Sequence, residues 1–501
     1  MTVMRSSFAA LDLAQWSAEV ARRHRDGERF AGLYADATDG SVTLTAMFAG
    51  TGRVDLVSTS LEPGTMSYPS VTPGVPAAFW YEREIFDLFG LRADGHPRLD
   101  PLVLPLEAGA ARPCPGDGRQ PASMDPHEEP VAGHLEGAGL FTIPHGPVRS
   151  GVVESVEYLI ETPGENIPHL RVRPHAKHRG VEKRFEALDP DTGVLLAERA
   201  EGIASVAHAL AYAGAIESIT EVEVPRPASL IRVIHAELER VTNHLDVAMR
   251  LCDAAALGVA TARFGWHKER VMRLRSGLCG SRFGRGVIRL GGVRGPLALP
   301  TDEVRSATAA VEKDIASDEH ALMSTASFLD RLRATGPLPA DLALRHGALG
   351  PIGRASGITE DVRVSRPYAA YRDLDVLAVH ENGRGDAQAR LQVRWAEVHE
   401  SFRLIRGALT ELDNVTASAS NSALAADVEP VDGVGIGWAE APQGEVLYVA
   451  HVSDGRLRRV KPRSASFHNL LLFHAVFAGD IFTDFPFIEA SFGLSIAGVA
   501  S

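Results

Sequence analysis

The sequence predicts an α+β protein, with a small N-terminal α+β domain followed by a large, mainly helical bundle that carries β pieces at its edges. Three observations carry this. Strand-like alternation concentrates near the start, in SVTLTAMF and RVDLVSTSL. Further on, apolar residues recur three and four apart. Ile231, Ile234, Leu238, Val241 and Leu245 make one helix face, and Trp395, Val398, Phe402, Ile405, Leu409 and Leu412 make another. Between these regions, residues 107–140 are rich in Gly, Pro and acids with almost no periodic apolar pattern, as a linker is.

In order, residues 1–106 should hold an amphipathic helix over about 9–25, then the two strand-like runs, then a charged helix in FWYEREIFDLFGLRADGHPRL. Residues 141–501 open with strand-like GVVESVEYLIE, a turn at 162–166 and strand-like LRVR. Helices are expected over 195–217, 228–246, 261–278, 303–333 and 388–412. Gly-rich loops lie at 277–295 and 347–357, and no internal repeat is visible.

Composition excludes several function classes. The 501 residues carry a formal charge of −13, which argues against a nucleic-acid partner. The three cysteines, Cys114, Cys252 and Cys279, form no C-x-x-C pair, so no thiolate metal site or disulfide framework is readable and a reducing compartment is expected. No P-loop, HExxH or dinucleotide fingerprint occurs, so a nicotinamide site on this chain has no support. His169, His175 and His178 are read as loop histidines rather than ligands. The start lacks the apolar core of a signal peptide, and no apolar run approaches the roughly 18 residues of a membrane span. Any membrane attachment would come through partners.

Two sets of motifs carry a resemblance. YEREIFDLFGLRADGHPRL, followed by PLVLPL, resembles the signature of the small peripheral-arm subunit of respiratory complex I. HRGVEK (178–183), PRPASLIRVIHAELERVTNHL, GSRFGRGVIRLGG, GPIGRASGITEDVRVSRPYAAY and GDAQARLQVRWAEVHES resemble, in order, motifs of nickel–iron hydrogenase large subunits and of the complex I quinone-site subunit. The formate hydrogenlyase branch fuses the two parts as here. The resemblance implies a nickel–iron hydrogenase large-subunit-like fold and a cytoplasmic subunit lying at the inner face of the cell membrane. It implies an iron–sulfur small subunit and membrane-embedded complex I- or hydrogenase-like subunits as partners. NADH dehydrogenase, NAD-binding and quinone-binding functions follow from the resemblance alone.

Active hydrogenases of this family hold nickel with four thiolates from two C-x-x-C pairs. Soft thiolates suit a nickel and an iron held together through redox change. In the first frame, Arg199-Ala200-Glu201-Gly202-Ile203-Ala204-Ser205, Glu201 and Ala204 stand at the thiolate positions. In the second, Ser495 and Gly498 do, and Gln443 replaces an arginine of the metal pocket. No nickel–iron centre is therefore expected. The quinone-site histidines of the complex I relative fall on Arg149 and Val153, its tyrosine on Leu196, and its acid on Ala254 beside Asp253. Quinone stays a candidate only.

The remaining polar residues, Glu201, Glu154, Arg149, Arg199 and Asp253, are the candidate site, read as a proton-coupled pocket facing an iron–sulfur partner. The plainer alternative is a structural salt bridge in a vacated cavity, within a scaffold that docks an iron–sulfur subunit onto membrane subunits. Glu237-Leu238-Glu239-Arg240 is read as an ion network inside the bundle. The arginines of RLRRVKPR (456–463) are read as a solvated face or a contact between subunits.

Overall fold

The computed structural model describes residues 5–38, 41–105, 112–114, 139–149, 153–379, 381, 383–418, 423–429 and 431–501. Most of the linker expected over 107–140 lies outside the described residues.

The N-terminal part is a four-stranded sheet with helices. Strand β1 (Arg5–Ala10), helix α1 (Leu13–Arg25), and strands β2 (Arg29–Thr38), β3 (Ser41–Gly50) and β4 (Arg53–Leu61) give the order β1-β4-β3-β2, with β1 parallel to β4 and the rest antiparallel. Asp12 caps α1 by accepting from the Gln15 amide, so the helix begins later than the expected residue 9 and β1 precedes it. Trp16 of α1 is fully buried and donates to the Val57 carbonyl at 2.8 Å.

Short β5 (Ser67–Pro69) and β6 (Arg92–Asp94) flank helix α2 (Phe79–Phe89), which carries the charged motif. Those charges face inward. Glu82 accepts from the Val71 and Thr72 amides, Arg83 donates to the Asp100 and Pro101 carbonyls, and Asp87 accepts from the amides of residues 102–104. Buried polar groups must be paired. Here they pin the loops before and after the helix.

The large part opens with a three-stranded sheet of β7 (Phe141–His145), β8 (Glu157–Thr162) and β9 (His169–Arg173). The helix expected over 195–217 is two helices with a turn between them. After α3 (Val181–Phe185) come α4 (Pro190–Ala197) and α5 (Ser205–Thr220). Then α6 (Arg226–Ala254) and α7 (Gly258–Cys279) pack side by side, with β10 (Ile288–Arg289) and β11 (Gly292–Val293) in the loop beyond. The stretch 303–333 also breaks, into α8 (Thr301–Met323) and α9 (Ala326–Leu332). Short α10 (Ala340–His346), α11 (Gly350–Ala355) and α12 (Val362–Ser365) lead to α13 (Ala387–Ser418), which packs along α6 at the centre of the bundle.

The sequence pattern hid a C-terminal sheet of β12 (Gly433–Ala441), β13 (Gly444–Ser453) and β14 (Arg456–Arg463). In β12 glycine recurs at every second place because α5 lies directly on the strand. A Cβ at Gly435 or Gly437 would collide with the carbonyl oxygens of Ala215 and Ala211. In β14 the reading as a solvated face fails for Arg459, Lys461 and Arg463. All three are buried, each against a carboxylate: Glu182, Glu84 with Glu182, and Glu445. The chain ends in α14 (Ala465–Leu470), α15 (Phe485–Phe492) and α16 (Ile496–Val499).

The two parts share one core. Phe30 and Tyr81 pack with Phe467 and Phe473, the Tyr81 hydroxyl meets His468 Nδ1 at 2.8 Å, and Arg29 pairs with Glu445 at 2.6 Å. The expected ion network is present. Glu237 of α6 lies between Arg240 (3.1 Å) and Arg363 (3.2 Å), and these cations hold its carboxyl down to about 2 although burial opposes them.

Candidate functional site

RAEGIAS forms the turn between α4 and α5. The first amides of α5, at Val206 and Ala207, donate to the Glu239 carboxylate of α6 at 2.8 and 3.0 Å. A helix start needs such acceptors. Glu239 thus fixes the turn, and the turn directs Glu201 inward. Glu201 is 1 % exposed. Its Oε1 accepts from Ser466 Oγ at 2.9 Å, and its Oε2 meets His208 Nε2 at 3.1 Å.

His208 Nδ1 lies 2.8 Å from the Tyr448 hydroxyl. Burial, and then the Glu201 charge, push the Tyr448 pKa far up, so its hydroxyl keeps its proton and donates. That leaves Nε2 of His208 as the donor to Glu201. Ser466, Glu201, His208 and Tyr448 form one continuous buried chain of proton-carrying groups.

The second frame closes against the first. A Cβ at Gly498 would lie 2.8 Å from Glu201 Cδ. Ser495 Oγ donates to Glu154 Oε1 at 2.9 Å, and the Ala497 amide donates to Glu154 Oε2 at 2.6 Å. Arg179 of HRGVEK ties both frames together, donating to the Arg199 carbonyl at 2.8 Å and the Ala497 carbonyl at 2.9 Å. Burial pushes the Arg179 pKa down, while the charges of Glu154 and Glu201 work the other way.

Nickel and iron do not fit these residues. One carboxylate, an alanine, a serine and a glycine replace four thiolates, and the carboxylate fills the corner against Gly498. Burial pushes the Cys114 thiol up to about 11 and the Cys252 thiol up to about 12. Gln443 sits buried in the turn from β12 to β13, with both side-chain amide atoms unpartnered.

Beside this closed corner lies an open cavity of about 360 Å³. Ile203 of the turn and Gly493, Leu494 and Ile496 of the second frame line it. Across from them stand His145, Tyr158, Phe473 and Phe485, a connected aromatic cluster with ring centroids 5.0 to 5.5 Å apart for Tyr158–Phe485, His145–Phe485 and Tyr158–Phe473. Polar groups enter at defined points. Arg149 pairs with Glu489 at 2.9 Å and lies 5.2 Å above the Tyr158 ring, whose hydroxyl donates to Glu489 at 2.8 Å. Burial works against the Arg149 charge, but Glu489 outweighs it and holds the arginine above its ordinary pKa. Glu154, Asn243, Asp246, Arg250 and Asp253 add further polar groups to the lining.

The five predicted site residues therefore do not converge on one pocket. Glu201 is inside the corner. Glu154 lies between corner and cavity. Arg149 and Asp253 belong to the cavity, and Asp253 is exposed at the end of α6. Arg199 is placed wrongly by the sequence reading. Its side chain is 52 % exposed and turns back on α4, donating to the Leu195 carbonyl. The cation between Glu201 and Glu154 is Arg179. Sequence reasoning also missed His208, Tyr448, Ser466 and Glu489. His208 lies in the first turn of α5, seven residues after Glu201, and a single imidazole in an alanine-rich helix could have flagged it. Tyr448, Ser466 and Glu489 gave no local signal.

Comparison with known proteins gives the family and the fold. Residues 17–115 match the model of the respiratory-chain NADH dehydrogenase 30 Kd subunit, and residues 253–431 that of the 49 Kd subunit. The chain belongs to the family of complex I 49 Kd-type and membrane-bound hydrogenase large subunits, with a 30 Kd-type part fused in front. Among its relatives, the membrane-bound hydrogenase subunit alpha of Pyrococcus furiosus is 30% identical over 70% of this chain and 84% of its own length. Formate hydrogenlyase subunit 5 of Escherichia coli is 29% identical over 89% of this chain and 79% of its own length. Hydrogenase-4 component G of Escherichia coli is 28% identical over 87% of this chain and 76% of its own length. A chain in the structure of the membrane-bound sulfane sulfur reductase, an archaeal respiratory membrane complex, shares the fold over 72% of this chain and 99% of its own, with a TM-score of 0.66 and 24% identity. Among the described residues no helix is long and apolar enough to cross a membrane.

Proposed function

We propose that this chain is the electron-accepting subunit of a membrane-associated oxidoreductase of the hydrogenase and complex I kind, and that it works without a nickel–iron centre. An iron–sulfur small subunit delivers the electrons, and membrane-embedded subunits hold the assembly at the inner face of the cell membrane. The acceptor binds in the cavity beside Arg149, where aromatic walls suit a flat ring and a paired arginine suits a polar edge. A quinone is one candidate. The Glu201 corner handles protons, because a carboxylate, an imidazole, a phenol and a hydroxyl stand in hydrogen-bond order there.

One observation carries the reading: the metal corner is filled, yet a 360 Å³ cavity with charged and aromatic lining remains open against it. A collapsed scaffold would have no reason to keep that space. The scaffold reading has the tight fit of Gly498 on Glu201 in its favour. Leu494→Trp in the assembled complex separates the two. Filling the cavity should abolish electron transfer to the acceptor while assembly persists, and undiminished transfer in an assembled variant would leave the scaffold reading standing.

A further inference from the structure

A second set of proton-carrying groups lies where the two parts of the chain meet. Lys461 of β14 is buried and donates from one Nζ to Glu84 Oε2 and to Glu182 Oε1, each at 2.5 Å. Glu84 comes from α2 in the N-terminal part and Glu182 from α3 in the large part. The carboxylates differ in support. Glu182 also accepts from Arg459, so it has two cations, whereas Glu84 only shares one. Two buried carboxylates on one ammonium favour a proton on the less supported one. Burial and the Glu182 charge push the Glu84 carboxyl up to about 7, and Lys461 acts against them. Glu182 stays below its ordinary value. Burial opposes this, but Lys461 and Arg459 prevail. The other titratable neighbours are Tyr81, one turn back on α2, His178 and Tyr448, on which the Glu182 charge acts, and Cys114 and Asp36, which act on Arg459.

This cluster is one layer from the Glu201 corner. Phe185, at the end of the helix that carries Glu182, stacks edge-on against Tyr448 at 6.3 Å. The Tyr448 hydroxyl feels the charge of Glu201 on one side and of Glu182 on the other.

We infer that the Glu84–Lys461–Glu182 cluster is a second proton-binding site, which takes up and releases one proton at Glu84 and answers the charge on Glu201. The answering half rests on the proposed function, and the binding half does not. Glu84 is a carboxylic acid in one state and a carboxylate in the other, so the only species exchanged is a proton with water. Lys461 and Arg459 stay charged throughout.

Infrared titration of the full chain with labelled glutamate, across pH 5 to 9, tests it. Glu440 of β12 is the other buried glutamate that burial pushes up to about 7, so the expected result is a protonated-carboxyl component that titrates near neutrality, is absent in Glu84→Gln and survives in Glu440→Gln. Glu182→Gln should move that component to lower pH, because it removes the like charge, and serves where Glu84→Gln does not fold. Glu201→Gln should move it the same way by less. A component unchanged in Glu84→Gln and Glu182→Gln overturns the site. A component lost in Glu84→Gln but unmoved in Glu201→Gln overturns the link to the corner alone.

Discussion

The corner at Glu201 and the cavity at Arg149 are separated only by Ile203 and residues 493–496, yet they have opposite packing. In the corner, a carboxylate closes on a glycine, and each of its oxygens has a partner. In the cavity, four aromatic rings and an imidazole line open space, and Arg149 and Glu489 hold each other at its wall. The difference follows from what sets each space. The corner is formed by two short turns that a single side chain can fill. The cavity is spanned by β8, the end of α6 and α15, which are fixed by the core around them. Replacing metal ligands therefore closes the first and leaves the second.

Substitutions should separate the two regions by the size of their effects. Glu201→Ala removes the shared partner of His208 and Ser466 and leaves a void. It should cost about 3 kcal/mol in denaturant unfolding. Gly498→Ala drives a methyl group into the Glu201 carboxylate and should cost about 2 kcal/mol in the same measurement. On the cavity side, Arg149→Met leaves Glu489 with only its Tyr158 bond. A loss of about 1 kcal/mol is expected, because Glu489 is partly exposed. Asp253→Asn and Arg199→Gln lie at exposed positions and should stay within about 0.5 kcal/mol of wild type. A corner variant as mild as these would break the contrast.

A pH effect sharpens it further. Burial, and then the Arg149 charge, push the His145 pKa below its ordinary 6.5. Its neutral form therefore contributes stability that is complete above pH 6.5 and fades as pH falls toward the lowered value. Thermal melts of His145→Gln should lose less than wild type over that acid window. The effect is small because the ring is only partly buried.

Much of this was legible in the sequence. The three-and-four stepping of α6 and α13 marked the bundle centre, and the two frames meet in the fold, with Gly498 against Glu201. What was hidden had physical causes. The glycines of β12 answer to a helix lying on the strand, so the strand shows no apolar alternation. The burial of the charges of α2 and β14 left no local signal because their partners lie outside their own elements, Lys461 with Glu84 and Arg83 with the carbonyls of residues 100 and 101. Arg199 was assigned to the pocket from its place in the frame. Its backbone carbonyl does accept from Arg179, but its own side chain faces solvent. Glu154 sits on the boundary between corner and cavity, where Ser495 and the Ala497 amide hold it.

The proposed role of the Glu201 corner is to move protons without a metal. Proton movement driven by electron transfer, measured in the assembled complex with Glu201→Gln, tests this most directly. Glutamine keeps the shape and can still bond Ser466, but it cannot take up or release a proton at that point. The account predicts that proton movement is lost while the complex still assembles. Wild-type proton movement in that variant would contradict it.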